Sequence, residues 1–397
     1  MTRFDIFASS HLNSLLNFEN KIHAKEFYKF YLIFANVIDI ASTIFLIGLV
    51  ILIIIGLFRR NARLTKKYKP SRVVAVLTVH NEEDSIGILI DSCKSAKFGS
   101  IYVIADQCTD RTVEAAEGRG VAVIPVSKKS KSLALKEALP AIISREGEEA
   151  FYMFFDAGNA FQSTIVDELM PYIESYPVLQ VRTRNLNNDS WVSRMYVIMS
   201  GFYFRVQNAL MNLGMSTILA GFGWGAYGWV LKKYPLQCKS IVDDFEYTLI
   251  VNMSVAYIPT ISVYDEKTDS FKISFRQRLR WYRGYFFELF MDFNHFRNKP
   301  YLIFIPLSLL FWLISILGVS RSFNLNFLIY SILFNSLIYL AALDAQDLRN
   351  LKYYDLLIFY FFNLTNILVI LYAVFTFKDV SWYRTPHKGI VLSKRKV

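Results

Sequence analysis

FYMFFDAGN, residues 151–159, closes the series of segments that decides the architecture of this chain. An apolar run of strand length ends there in Asp156. Upstream stand three runs of the same kind: VVAVLTV (73–79), IYVIAD (101–106) and VAVIPV (121–126). Between them lie helix-like stretches, DSIGILIDSCKSA (84–96), TVEAAEGRG (112–120) and KSLALKEALPAII (131–143). Short, almost wholly apolar strands alternating with helices predict a parallel sheet covered on both faces. Ligands of such sheets bind beyond the carboxyl ends of the strands. The polar residues found there are HNEE (80–83), DQCTD (106–110) and DAGN (156–159).

The flanks read differently. Hydrophobic residues make up 54% and aromatics 16% of the 397 residues, more than a purely soluble protein needs, and the excess gathers towards the two ends. Residues 1–30 are polar. Residues 31–58 form a long apolar run broken only near its start by Asn36 and Asp39, and the stretch from Ile40 to Phe58 suffices to span a bilayer, which takes roughly 20 residues. Arg59, Arg60, Arg63, Lys66, Lys67 and Lys69 follow at once and predict a cytoplasmic exit. The partition expected is therefore a membrane helix at 31–58, a cytoplasmic domain at 59–270 and an amphipathic, aromatic-rich interfacial segment at 271–299. Three membrane segments at 300–377 (runs 300–319, 323–343 and 354–377) and a basic tail at 378–397 complete it. One span before the domain and three after it put the tail outside, whereas its lysines and arginines favour the inside. Either one C-terminal run is re-entrant or interfacial, or the tail breaks the rule.

The net charge of +11 has its sources beside apolar runs, which suits a membrane surface and a diphosphate better than nucleic acid. No zinc-finger spacing or DNA-type basic helix is present. Cys93, Cys108 and Cys238 are far apart and odd in number, a pattern of reducing compartments rather than of a disulfide framework.

Several acidic residues have roles to choose between. VHNEED (79–84) and the Thr109–Asp110 pair read equally well as helix caps. Asp106 stands at a strand tip and faces the expected site. Asp156 ends a buried run, where a charge is costly unless paired or metal-bound. LAGFGWGAYGWVL (219–231) is either a close approach to a sugar or a tightly packed turn. IVDDFEYTL (241–249) gathers Asp243, Asp244 and Glu246, which in isolation is an ordinary helix start. In QRLRW (277–281), Gln277, Arg280 and Trp281 suit interfacial anchoring.

Taken in order, these motifs resemble the family 2 glycosyltransferases, the group that includes hyaluronan, chitin and cellulose synthases, over about Val73 to Arg283. The resemblance implies a Rossmann-like α/β domain of GT-A type joined to transmembrane helices. It places Glu82 near the nucleotide, Asp106 at the base and Lys131 of KSLAL facing the donor. FDAGN falls at the DxD metal motif, so Asp156 is the implied ligand of Mg²⁺ or Mn²⁺. Asp244 is the implied catalytic base, and Gln277, Arg280 and Trp281 match the QxxRW element of the acceptor and diphosphate side. Gly158 stands where the second DxD aspartate belongs, with Asn159 beside it as an oxygen ligand of lower charge. The implied activity is inverting transfer from a nucleotide sugar, a UDP-sugar being the commoner donor, to a lipid-linked or growing glycan acceptor at the cell membrane. A catalytically degenerate membrane scaffold is the competing expectation.

Overall fold

The computed structural model describes residues 44, 47–48, 50–58, 63–127, 130–308, 336–337, 339–379, 381, 385 and 387. The polar segment 1–30, the first part of the run 31–58, most of the runs 300–319 and 323–343, and most of the basic tail lie outside the described residues.

Strands β1 (Val73–Val79), β2 (Ser100–Asp106), β3 (Ala122–Val126) and β4 (Phe151–Asp156) pair in parallel in the order β3-β2-β1-β4. This is the expected parallel half-sheet. Its register sets Thr78 beside Asp156 and Val79 beside Ala105, so the carboxyl ends of the three central strands finish almost level. Val74, Ala75, Val76 and Leu77 are fully buried, because both faces of β1 are covered. The crossover helices are α1 (Ile86–Ser95), α2 (Thr112–Glu117) and α3 (Lys131–Glu146). Helix α3 starts where it does because the Ser130 hydroxyl accepts the Leu133 N–H at 3.3 Å, and it stops at Gly147, whose φ of +94° few other residues adopt.

Beyond β4 the sheet becomes mixed, which the apolar-run pattern does not announce. Strands β5 (Asn159–Ala160), β6 (Val178–Asn185), β7 (Trp224–Tyr227) and β8 (Ala256–Asp265) extend the order to β3-β2-β1-β4-β7-β6-β8-β5. Strand β7 runs antiparallel to both β4 and β6. It lies so close to β4 that a Cβ on Gly225 would stand 2.5 Å from the Met153 sulfur and 2.9 Å from the Tyr152 carbonyl oxygen. Part of the glycine-rich stretch is thus a packing requirement.

The remaining helices are α4 (Ile165–Ile173), α5 (Trp191–Asn212), α6 (Gly228–Lys233), α7 (Asp243–Ile250), α8 (Phe271–Met291), α9 (Ala345–Arg349) and α10 (Asp355–Thr376). Helix α8 contains QRLRW and buries Leu279, Tyr282, Phe286 and Leu289 against Val369, Ile370 and Ala373 of α10. Arg278, fully buried, donates to Thr365 Oγ1 at 3.1 Å and to Asn366 Oδ1, with Phe362 4.0 Å beneath its guanidinium. At one end of α10, Asp355 pairs with Arg194 of α5 at 2.7 Å. Just past its other end, Asp379 pairs with Arg283 of α8 at 2.9 Å.

A second lock joins β6 to α9. Arg182 contacts Asp344 at 2.6 Å and Asp347 at 2.9 Å, and Arg184 contacts the same two carboxylates at 2.7 and 2.8 Å. Asp344 caps α9, its side chain accepting the N–H groups of Gln346 and Asp347. Arg182 is 2% exposed and stacks on Phe204 at 3.6 Å. Removing one partner of a buried ion pair leaves uncompensated charge, so Arg182→Ala is expected to cost about 3–5 kcal/mol. A lowered unfolding midpoint of the purified protein would register it; an unchanged midpoint would mean that α9 is not docked.

Candidate active site

The strand ends of β1, β2 and β4 open onto a cavity of about 710 Å³. Glu82, Asp106, Lys131, Asp156, Asp244, Gln277, Arg280 and Trp281, all singled out in the sequence, line it.

The rim on the β1–β2 side is laced by its own polar residues. Asn81, in the left-handed region at φ +56°, accepts the Thr109 N–H at 2.7 Å. Glu83 accepts from the Arg111 backbone and side chain at 3.1 and 3.2 Å. These members of HNEED and DQCTD therefore shape the loops. Two others face inward. Glu82, buried, accepts the Ser85 hydroxyl at 2.8 Å through Oε2 and meets His387 Nδ1 at 3.1 Å through Oε1. Asp106 is 4% exposed, and its buried Oδ1 has no hydrogen-bond partner among the described residues. Burial pushes its carboxyl up to about 6, against the pull of nearby His80.

Charge concentrates at the centre. The Lys131 ammonium, at the start of α3, lies 2.5 Å from Asp156 Oδ1 and donates to the Gly221 carbonyl. Burial works against this ammonium, but Asp156, Asp243 and Asp244 hold it above the ordinary lysine range. Gly221 leaves room in front of all of them. A Cβ built there would sit 3.8 Å from Asp244 Oδ2, 3.9 Å from Asp156 Oδ2 and 3.9 Å from Lys131 Nζ. Residues 131, 156 and 244 thus surround one small space.

Asp244 is the second residue of α7. Lys299 steadies the far end of that helix by donating to the carbonyls of Thr248 at 2.5 Å and Val251 at 2.8 Å. Burial, reinforced by the charge of Asp243, pushes Asp244 up to about 7, while Lys131 and Arg280 oppose the shift. Glu246 has a different task. It turns away to accept the N–H groups of Cys238 at 3.0 Å and Lys239 at 2.9 Å, and so folds the preceding loop. From α8, Gln277 accepts the Tyr196 hydroxyl at 2.6 Å, and Trp281 presents its ring at right angles to Tyr196. Arg280 lines the cavity with no ion-pair partner among the described residues.

One expected ligand is otherwise engaged. Asn159 Oδ1 accepts the Asp156 N–H at 2.8 Å, and its amide donates to Asp265 Oδ1 at 2.8 Å, so this side chain braces the turn. Among the described residues, no three His, Cys, Asp or Glu side chains stand together as a ready-made metal cluster. Among the lining residues that escape the sequence reading, two groups stand out. Asp265 closes β8 and Glu266 and Lys267 follow it, the acidic residue at the end of an apolar run being the available signal. Thr385 and His387 come from beyond α10, and only the fold brings them in.

A family model described as glycosyltransferase like family 2 matches residues 70–284, more than half of the chain. The chain belongs to this family. It is a glycosyltransferase, and its Rossmann-like sheet has the GT-A arrangement. Among solved structures this family 2 glycosyltransferase is similar to the mannosyltransferase PcManGT from Pyrobaculum calidifontis in complex with GDP-Man and Mn²⁺. Identity is 13%, coverage is 85% of this chain and 96% of that one, and the TM-score is 0.53, a likeness of fold. Glucosyl-3-phosphoglycerate synthase from Mycobacterium tuberculosis, with Mn²⁺ and UDP-glucose, matches more loosely, at 17% identity over 57% of this chain and 83% of that one with a TM-score of 0.40. No curated protein matches the chain.

The opening at Gly221 is testable. Its neighbours stand at ordinary contact distance from a Cβ, so Gly221→Ala is expected to fold and retain transferase activity. Gly221→Leu is expected to fold but lose most activity by filling the space between Asp156 and Asp244. Full activity in the leucine variant would mean that chemistry occurs elsewhere.

Proposed function

We propose that this glycosyltransferase moves a sugar, with inversion, from a nucleotide-sugar donor to a lipid-linked or growing glycan acceptor at the cytoplasmic face of the cell membrane. The observation that supports it is the meeting of Asp244, Asp156 and Lys131 in front of Gly221. Such a transfer needs a base beside the acceptor hydroxyl and positive charge beside the departing diphosphate, a short distance apart.

In this reading Asp244 takes the hydroxyl proton as the acceptor oxygen attacks the anomeric carbon. The bond from that carbon to the diphosphate oxygen breaks on the opposite face, and the nucleoside diphosphate leaves with the bonding electrons. Asp106 offers its unpartnered oxygen to N–H groups of the base, and Glu82 shapes the nucleotide side. Lys131 and Arg280 neutralise the leaving group, while Gln277 and Trp281 flank the acceptor side. Asp156 would hold a divalent cation such as Mg²⁺ or Mn²⁺, which needs few protein ligands when phosphates and water complete its shell. Bound there, the cation supplies further neutralisation of the diphosphate. GDP-Man and Mn²⁺, present in the Pyrobaculum mannosyltransferase structure, belong to the donor and cation classes proposed. A UDP-sugar is the expected donor.

Asp244→Asn is expected to lower transfer by about 10²–10⁴-fold while nucleotide binding persists. Because the base acts ionised and its carboxyl is pushed up to about 7, transfer should fall as pH drops through about 7. An acid limb unchanged by Lys131→Met, which removes a charge that lowers the Asp244 pKa, would count against the assignment; the expected limb moves to higher pH.

The membrane part of the reading draws on exposed apolar surface. Ile44, Ile47, Ile51, Ile54 and Leu57 are exposed along the N-terminal helical segment, as are Leu357, Phe361, Leu368 and Phe375 along α10. Helix α10 is, among the described residues, the one helix long and apolar enough to cross a membrane. Yet salt bridges at and just past its two ends join it to the catalytic domain. That favours α10 lying along the domain as an interfacial helix, with the spans at 31–58, 300–319 and 323–343 crossing. The tail then shares the side of the catalytic domain, as its basic residues suggest. A C-terminal tag should be removed by protease added to inside-out vesicles; a protected tag would overturn this topology.

A further inference from the structure

We propose that His387 stands in for the acidic ligand that Gly158 lacks, and completes with Asp156 the protein's share of the divalent-cation site. The inference rests on the diphosphate-donor reading above and adds to it a residue from a distant part of the chain.

Gly158 lies two residues after Asp156, in the turn between β4 and β5. The space in front of it is filled. A Cβ built on Gly158 would stand 2.7 Å from His387 Nε2 and closer still to Cδ2, so a side chain and this imidazole exclude one another. The ring is held from its other edge. Nδ1 lies 3.1 Å from Glu82 Oε1, with the histidine side chain 13% exposed and the glutamate 6%. A carboxylate that accepts the Nδ1 proton fixes the tautomer and leaves the Nε2 lone pair as the donor, an arrangement that orients and strengthens an imidazole ligand. Nε2 is the atom on the Gly158 side.

The route back to the site is short because α10 does not carry the chain away. Asp379 is tied to Arg283, and Thr385 and His387 both line the cavity that holds Asp156. With Asn159 engaged in the turn, the imidazole is the nitrogen or oxygen donor that this arrangement brings to the face of Gly158. Carboxylate and imidazole together suit Mn²⁺, with the remaining positions left to phosphate oxygens and water.

The test is Mn²⁺ binding to the full-length detergent-solubilised chain in the presence of UDP or GDP, followed by the electron paramagnetic resonance of unbound Mn²⁺. Wild type is expected to bind Mn²⁺, and His387→Ala to bind it about 10–100-fold more weakly with nucleotide binding largely kept. The double variant His387→Ala, Gly158→Asp should recover most of the affinity, since removing the ring makes room for the carboxylate. Gly158→Asp alone, with the ring in place, should not reach wild-type affinity. Undiminished Mn²⁺ binding in His387→Ala overturns the proposal, as does nucleotide binding by wild type without any Mn²⁺ uptake, which leaves the donor reading standing. Failure to bind either nucleotide would instead bring down the donor reading, and this inference with it. Equal weakening in the single and double variants would reduce His387 to a packing role and also overturn it.

Discussion

At the centre of the cavity three carboxylates crowd around the Lys131 ammonium, and most of the architecture serves to hold them there. Asp243 and Asp244 repel each other where burial already disfavours charge, Asp156 adds to the repulsion at Asp243, and Lys131, helped by Arg280, makes their proximity tolerable. That arrangement requires rigid supports from different parts of the chain. Asp156 is set by the parallel pairing of β4 with β1, Lys131 by the capped start of α3, and Asp244 by α7 with Lys299 at its far end. The glycine at 221 keeps the space before them open. Burial, with the same repulsion added to it, raises the proton affinity of Asp244 into the range where it can accept a proton from a hydroxyl.

Much of this is legible in the sequence. Strand ends carrying HNEE, DQCTD and DAGN point to one edge of a parallel sheet by topology alone, and the register of β1, β2 and β4 delivers them together. Within each motif the split between structural and inward-facing residues was not legible. Asn81 and Glu83 lace two loops while Glu82 faces the cavity, and Glu246 folds a loop while Asp244 faces Lys131. Side chains one or two positions apart point to different places, and only the local backbone decides which. The antiparallel strand β7 was hidden for another reason. Its Trp-Gly-Ala-Tyr sequence lacks a β-branched run, and close packing against β4 favours it where intrinsic strand preference would not.

The C-terminal region is the least legible in sequence. Composition marks α10 as a membrane span, and the contacts that bind it to α8 and α5 involve Arg278, Arg283 and Arg194, residues scattered among other motifs. Arg278 sits inside QRLRW, so a single five-residue motif supplies cavity-lining side chains from one face and a structural clamp from another.

That clamp has a practical consequence for anyone seeking a water-soluble catalytic fragment. Ending the chain at residue 299, where hydropathy alone would cut, strips α10 from α8 and lays bare Leu279, Tyr282, Phe286 and Leu289. Arg278 would also lose Thr365, Asn366 and Phe362 together. The fragment would gain a sticky apolar flank next to the candidate active site. The cooperative folding unit thus extends well past the recognisable transferase sequence, to the helix that looks most like lipid-buried anchorage.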